Sequence, residues 1–434
     1  MVQPLLIKNG RILDPTRNMD APGDLLVAER GILVRTGGVI SRPGYECTVI
    51  DAAGLIVCPG FIDMHCHLRQ PGYEEKETIA TGTRAAAKGG FTTVCCMPNT
   101  IPPLDGPATI RFVTETAAKE GMVRVLPNAC VTKGRKGQEE VDFKGLAAQG
   151  IAGFSDDGSP VYDEEIMRQA LIASLDTGLP VIEHCEVPEL AGDGVMNEGA
   201  VSARLGLKGI PAAAEEDMVA RDIGLARQTG GWVHIAHAST AGSVQLIRQA
   251  KAEGVRVTAE VTPHHLTLTE DKVTRCGTRA KVNPPLRTQD DIRALIESLN
   301  DGTIDVIATD HAPHTEADKA GDMTAAAFGF SGFETAFGSL MGLVHGGYFS
   351  LELLIDRLTR HPALLLGEGR GITGTLAEGS PADIVIVDPD REWTVNPADF
   401  VSKGKNTPLA GTVLKGKVMA TVAGGKVVWR DNDI

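Results

Sequence analysis

Aromatic side chains are scarce: Phe, Trp and Tyr make up 4% of 434 residues, against 42% hydrophobic residues overall and 50 glycines. Such a chain builds its core from aliphatics and bends often, which suits a turn-rich α/β enzyme. Positive charge is in deficit too, 42 Lys and Arg against 56 Asp and Glu, for a net charge of −14 and a pI near 5.3. That balance excludes nucleic acid and anionic membrane as bulk partners, while leaving room for a local cationic pocket. No apolar run approaches the roughly 18 residues of a membrane span, and the opening Met-Val-Gln-Pro lacks the charged and apolar regions of a leader, so a soluble, cytoplasmic protein is expected. The eight cysteines form no CxxC pair, and Cys95 and Cys96 lie inside an apolar run, which favours reduced, buried thiols over disulfides.

The length exceeds the usual single domain, so a large domain with an appendage is expected. Residues 1 to about 55 read as short strands, with a hairpin expected at Asn9-Gly10, and the last 60 or so residues return to the same texture. Two strand-rich ends around a long middle predict one composite β-sandwich domain from residues 1–55 plus 375–434. The middle, residues 56–374, alternates strand and helix. Strand-like runs end just before His65 and at 91–97, 123–126, 150–154, 179–183, 232–236, 255–260 and 304–308. Helix patterns fall between them at 75–88, 107–119, 143–148, 163–177, 213–228, 240–252 and 290–299, with a final one at 332–343. Eight such units predict an α/β fold, a (β/α)8 TIM-like barrel catalytic domain. A doubly wound open sheet fits the alternation but not the placement of the polar residues.

Nearly every strand of the middle ends in residues that can serve one pocket. His65 and His67 sit two apart, so in extended backbone both imidazoles face one side, with Arg69 next on that face. Imidazole suits zinc, whereas a guanidinium suits a carboxylate. Later strands end at Asn99, at Asp156-Asp157, at His184, at His237 and at Asp310. In a barrel these ends converge on the mouth. Four histidines with aspartates form a metal constellation sufficient for two zinc ions, His65 and His67 on one, His184 and His237 on the other, with an aspartate bridging. Adjacent side chains oppose, so only one of Asp156 and Asp157 points inward, and spacing leaves that choice open. His234 reads as packing behind the site, and His264 and His265 as neighbours of the mouth. Asp310 is placed to take a proton during attack and pass it to a leaving nitrogen. The long polar stretch after it, residues 311–331, is expected to close over a ligand.

These residues resemble the cyclic amidohydrolases, most closely the bacterial class I dihydroorotases. The likeness spans almost the whole chain and rests on Asp63-Met-His-Cys-His-Leu-Arg69, Met97-Pro-Asn-Thr100, Phe154-Ser-Asp-Asp-Gly158, His184-Cys-Glu186, His237-Ala-Ser239, Val282-Asn-Pro-Pro285 and Asp310-His-Ala-Pro-His314 occurring in order. The resemblance implies a zinc-dependent hydrolase that reversibly closes N-carbamoyl-L-aspartate to L-dihydroorotate and water, a step of pyrimidine biosynthesis. It implies His65, His67 and Asp310 on one Zn2+, His184 and His237 on the other, and Asp157 with a hydroxide as the bridge. Relatives with a carbamylated lysine bridge differ, since no lysine stands near the end of the fourth strand here. Substrate contacts implied are Arg69, Asn99, Asn283, His314 and the backbone of Phe328 and Gly329. The resemblance further implies a homodimer and allows assembly with aspartate carbamoyltransferase. The other readings are a different cyclic amidase, of hydantoinase, dihydropyrimidinase or allantoinase type, and a non-catalytic homologue that assembles with the carbamoyltransferase.

Overall fold

Short, β-branched runs punctuated by glycine and proline become strands at both ends of the chain, as their composition dictates. The computed structural model describes residues 3–367 and 369–434; Met1, Val2 and Glu368, which fall in the stretches assigned above to the sandwich and the barrel, lie outside the described residues. Strands β1 (Leu5–Asp14), β2 (Met19–Val27), β3 (Leu33–Thr36), β4 (Thr48–Asp51) and β5 (Ile56–Pro59) come first. Next come β6 (Phe61–Cys66), β7 (Phe91–Cys96), β8 (Arg124–Pro127) and β9 (Val181–Glu183). A small parallel pair, β10 (Met196–Asn197) and β11 (Gly209–Ile210), precedes β12 (Val233–Ile235), β13 (Val257–Val261) and β14 (Val306–Ile307). Last are β15 (Ile384–Thr394), β16 (Val413–Ala423) and β17 (Lys426–Arg430).

The terminal strands form one mixed sheet in the order β17-β16-β15-β5-β1-β2-β3, with β4 on β1. This is the small β-sandwich built from both termini. Its interior is aliphatic, with Leu5, Ile7, Ile12, Leu25, Val57, Ile384, Ile386 and Val422 fully buried. The hairpin expected at Asn9-Gly10 is absent. β1 runs straight through, with a bulge between Ile7 and Gly10 where it pairs with β2. Asn9 takes a positive φ of 62°, which asparagine tolerates, and its N–H donates to Asp24 Oδ1 at 2.8 Å. A Cβ on Gly10 would lie 2.5 Å from Val57 Cγ2, so glycine there serves close packing rather than a turn.

The middle is the (β/α)8 barrel. β6, β7 and β8 pair in parallel, as do β9, β12, β13 and β14. The fourth stave, expected over 150–154, shrinks to Phe154, which bridges Ala129 on one side and Val181 on the other. Glycine explains the reduction: Gly150 has a φ of 82°, and a Cβ on Gly153 would lie 2.8 Å from Ile182 Cδ1. Backbone bonds still continue the ring there, Ala129 N donating to Gly153 O and Ile182 N to Phe154 O. The ring closes between β14 and β6: Asp310 N donates to His65 O at 2.9 Å, and His67 N to His311 O at 2.8 Å. β6 and β7 are buried at every position, as parallel strands covered on both faces should be. The flanking helices start where side chains cap them, including Thr78 before Ile79–Lys88, Asp163 before Glu164–Thr177 and Thr240 before Ala241–Ala252. Among the described residues no helix is long and apolar enough to cross a membrane.

Candidate metal centre and substrate mouth

The strand ends do converge. His65 Nε2 lies 3.4 Å from Asp157 Oδ1 and 3.7 Å from Asp310 Oδ1, and His67 Nε2 lies 3.0 Å from Asp310 Oδ1 and 3.6 Å from Asp157 Oδ2. His237 Nε2 is 3.7 Å and His184 Nδ1 3.8 Å from Asp157 Oδ1, and those two ring nitrogens are 3.0 Å apart. All six side chains are buried. Two overlapping groups have the spacing of a metal site: His65 with Asp157 and His237, and His65 with His67 and Asp310. Asp157 touches both halves. Asp156 turns away, its carboxylate accepting from the backbone of Val131 and Thr132 and from the Thr132 hydroxyl, which resolves the choice that alternation left open.

Strand ends need unusual backbone to aim these groups. Asp310 and His237 have φ of 46° and 35°, and Arg69 of 61°, left-handed values that side chains other than Gly, Asn and Asp seldom adopt. Such conformations cost of order 1–3 kcal/mol and persist where the surroundings enforce them, commonly at functional sites.

The hydrogen bonds say what the cluster lacks. Asn99 Nδ2 donates to Asp157 Oδ2 at 3.0 Å, which fixes its Oδ1 toward His67 Nδ1 at 2.9 Å. His67 therefore carries its proton on Nδ1 and presents the Nε2 lone pair to the Asp310 carboxylate. Burial lowers the His67 pKa, so a second ring proton is disfavoured. For Asp310 burial works toward a higher pKa, and the carboxyl falls below its usual range only to the extent that His67 and His65 carry a proton toward it. Asp157 is likewise held low against burial, first by His65. Lone pairs and carboxylates thus face one another across a buried space. His65 Nε2 and His237 Nδ1 are buried with no hydrogen-bond partner. Mixed imidazole and carboxylate donors around such a deficit of positive charge fit a divalent cation, zinc among the best. Cys66 and Cys185 are not part of it: Cys66 Sγ donates to Cys95 O, and burial raises both thiols well above the ordinary range.

The remaining expected residues rim the mouth. Arg69 is half-buried, and its Nε donates to Pro313 O at 3.2 Å. His314 Nε2 donates to Phe328 O at 2.7 Å. Arg69 Nη2 comes within 3.2 Å of that same nitrogen, but both groups are donors, so this contact packs the guanidinium against the ring. Burial, then the nearby Arg69, push His314 down to about 3. Asn283 Nδ2 lies 3.0 Å from Glu186 Oε2 and 3.3 Å from His184 Nε2, and its Oδ1 is a buried acceptor without a partner. The Gly329 N–H is already engaged with Lys281 O, and its φ of 110° with Ala312 and His314 close by leaves no room for a side chain. The stretch after Asp310 is tied down rather than loose: Lys319, buried, donates to the carbonyls of Lys281, Ala327 and Gly329.

Three contributors escaped the sequence reading. Asp63 accepts from Thr309 N and Oγ1, each at 2.7 Å, and so sets the backbone just before Asp310. Glu260, in the interior of β13, contacts His65 and His234; an acidic residue inside an apolar strand was the available signal. Asn406, from the C-terminal segment, accepts from His314 N at 3.1 Å and donates to Gly329 O at 3.0 Å, which no local pattern announces.

A barrel whose mouth gathers histidines and aspartates in this way agrees with what known proteins show. The amidohydrolase family model matches residues 56–428, and the chain belongs to that family. Among its relatives is a dihydroorotase of Pelotomaculum thermopropionicum, 52% identical over 431 residues and 99% of each chain. A dihydroorotase of Aquifex aeolicus is 47% identical over 428 residues, 98% of this chain and 99% of the relative. Among solved structures, an L-hydantoinase (dihydropyrimidinase) from Arthrobacter aurescens superposes with a TM-score of 0.86 at 25% identity, covering 99% of this chain and 96% of that one. A dihydropyrimidinase from Brevibacillus agri gives 0.84 at 23% identity, covering 99% and 95%.

Proposed function

We infer that this chain is a dihydroorotase, a hydrolase that opens the ring amide of L-dihydroorotate to N-carbamoyl-L-aspartate and runs the same reaction in reverse. The observation that carries the reading is a half-buried guanidinium, Arg69, at the rim of the histidine–aspartate cluster. A ring substrate bearing a carboxylate needs a fork of this kind, and a neutral ring does not. Full-length identity of about half to dihydroorotases supports the same conclusion.

In this reading His65, His67 and Asp310 would hold one zinc ion and His184 and His237 the second, with Asp157, which lies beside both sets, as a ligand they would share. When bound, the pair supplies a Lewis acid for the amide carbonyl and makes water a competent nucleophile near neutral pH. The chain does the rest. Arg69 and His314, with Asn99 and Asn283, orient the ring, and the backbone of Phe328 and Gly329 bounds it. In hydrolysis the water oxygen bonds to the amide carbon and the carbon–nitrogen bond breaks. Asp310 accepts the proton lost by the water and returns it to the departing nitrogen.

The test is dihydroorotate hydrolysis before and after chelation, with elemental analysis of the purified protein. Turnover should fall on chelation and return with added zinc; a zinc-replete protein inert toward dihydroorotate would overturn the reading. We place the chain in the pyrimidine pathway of the cytoplasm, with the divide between units at residues 1–55 plus 375–434 and 56–374, and as a homodimer able to meet aspartate carbamoyltransferase. Asn406 offers a smaller check on the mouth. Replacing it with alanine orphans the buried His314 N–H and takes from Gly329 O one of its two donors, the other being Lys319, a loss of about 1–3 kcal/mol, and steady-state kinetics should show KM for dihydroorotate rising roughly tenfold with kcat less affected.

A further inference from the structure

Glu260 is buried at 0% exposure in β13 and touches His65 of β6, His234 of the adjacent β12 and the backbone of His237 just past β12. Its Oε1 lies 2.6 Å from His65 Nδ1 and 3.3 Å from the backbone N–H of His237, and its Oε2 lies 3.2 Å from His234 Nε2. His234 is anchored in turn, Nδ1 to Thr258 Oγ1 at 2.9 Å. Every donor in this set has one available acceptor, so the arrangement fixes proton positions. His65 gives its Nδ1 proton to Glu260, and its Nε2 lone pair then has to face Asp157 and Asp310. The same oxygen holds the His237 amide where the strand turns into its left-handed conformation of φ 35°.

We propose that Glu260 is a positioning residue of the metal centre, one carboxylate that sets the tautomer of His65 and the backbone turn of His237 and so aligns ligands from both halves of the site. This rests on the metal-holding reading above. A carboxylate behind a ligand imidazole raises the basicity of the donor nitrogen as well as orienting it, and loss of such a partner commonly weakens metal binding about 10–100-fold. His234 supports the role by occupying the second oxygen, which keeps the carboxylate from rotating away from His65.

The experiment compares zinc dissociation constants of the natural protein and Glu260→Gln, measured by competition with a chromophoric chelator. Glutamine keeps the shape and one acceptor oxygen but not the charge. The expected result is weaker zinc binding by about 10–100-fold, activity restored by excess zinc, and unchanged far-UV circular dichroism of the metal-free variant. Equal zinc affinity in a folded Glu260→Gln protein overturns the proposal. If that variant does not fold, nitrogen-15 histidine NMR of the zinc-loaded natural protein decides: a ligand imidazole protonated at Nδ1 in a strong hydrogen bond supports it, and the absence of one overturns it. A natural protein that binds no zinc at all would instead sink the metal-holding reading, so the two failures are distinct.

Discussion

Asp310→Asn should lower kcat for dihydroorotate hydrolysis by roughly 10²–10⁴-fold, the usual worth of a positioned general base. The substitution is a clean probe for a backbone reason. Asp310 sits at φ 46°, and asparagine is one of the few residues that accepts such a conformation without added strain. The amide preserves size and one oxygen toward His67, 3.0 Å away, but it does not carry a proton between water and the ring nitrogen. Stopped-time assays at saturating substrate, with metal content measured alongside, separate the lost proton transfer from a lost ligand. A variant with full zinc and near-normal kcat would remove Asp310 from the chemistry.

Arg69 carries the second large effect, and it also discriminates between members of the family. Arg69→Gln takes away the charge that pairs with the substrate carboxylate, and truncating one side of a buried charge pair costs about 2–5 kcal/mol. In kcat/KM for dihydroorotate that is a loss of roughly 30-fold to several thousandfold. For an uncharged cyclic amide such as dihydrouracil, the same variant should change little. Arg69→Lys should recover only part of the loss, because an ammonium lacks the planar fork and the reach to Pro313 O that Arg69 Nε makes at 3.2 Å. If both substrates suffer equally, Arg69 is structural, and an amidase acting on uncharged rings becomes the better reading.

Much of this site was legible because barrel geometry simplifies it. When strand ends share one mouth, a polar residue closing an apolar run is already a candidate, and His65, His67, His184, His237 and Asp310 each close such a run. The helices were legible for a similar reason, since a periodic face and a capping Thr or Asp are local features. The failures were also local in form but not in cause. Asn9-Gly10 has the composition of a turn, yet Asp24, Asp51 and the Val57 side chain hold it as a bulge within a straight strand. The fourth stave is too glycine-rich for a full strand and survives only because β8 and β9 supply partners at Phe154.

The sequence by itself determined the alternation of strand and helix, the pairing of the two ends in one sheet, and the order in which ligand side chains arrive at the mouth. These follow from period, punctuation and residue chemistry, all of which act over a few residues. Tertiary structure decided which of Asp156 and Asp157 faces the metal centre, that Glu260 stands behind His65, and that Asn406 holds His314 and Gly329 from far along the chain. Those outcomes depend on hydrogen bonds between strands and segments distant in sequence, and a buried polar group finds its partner only when folding brings the two together.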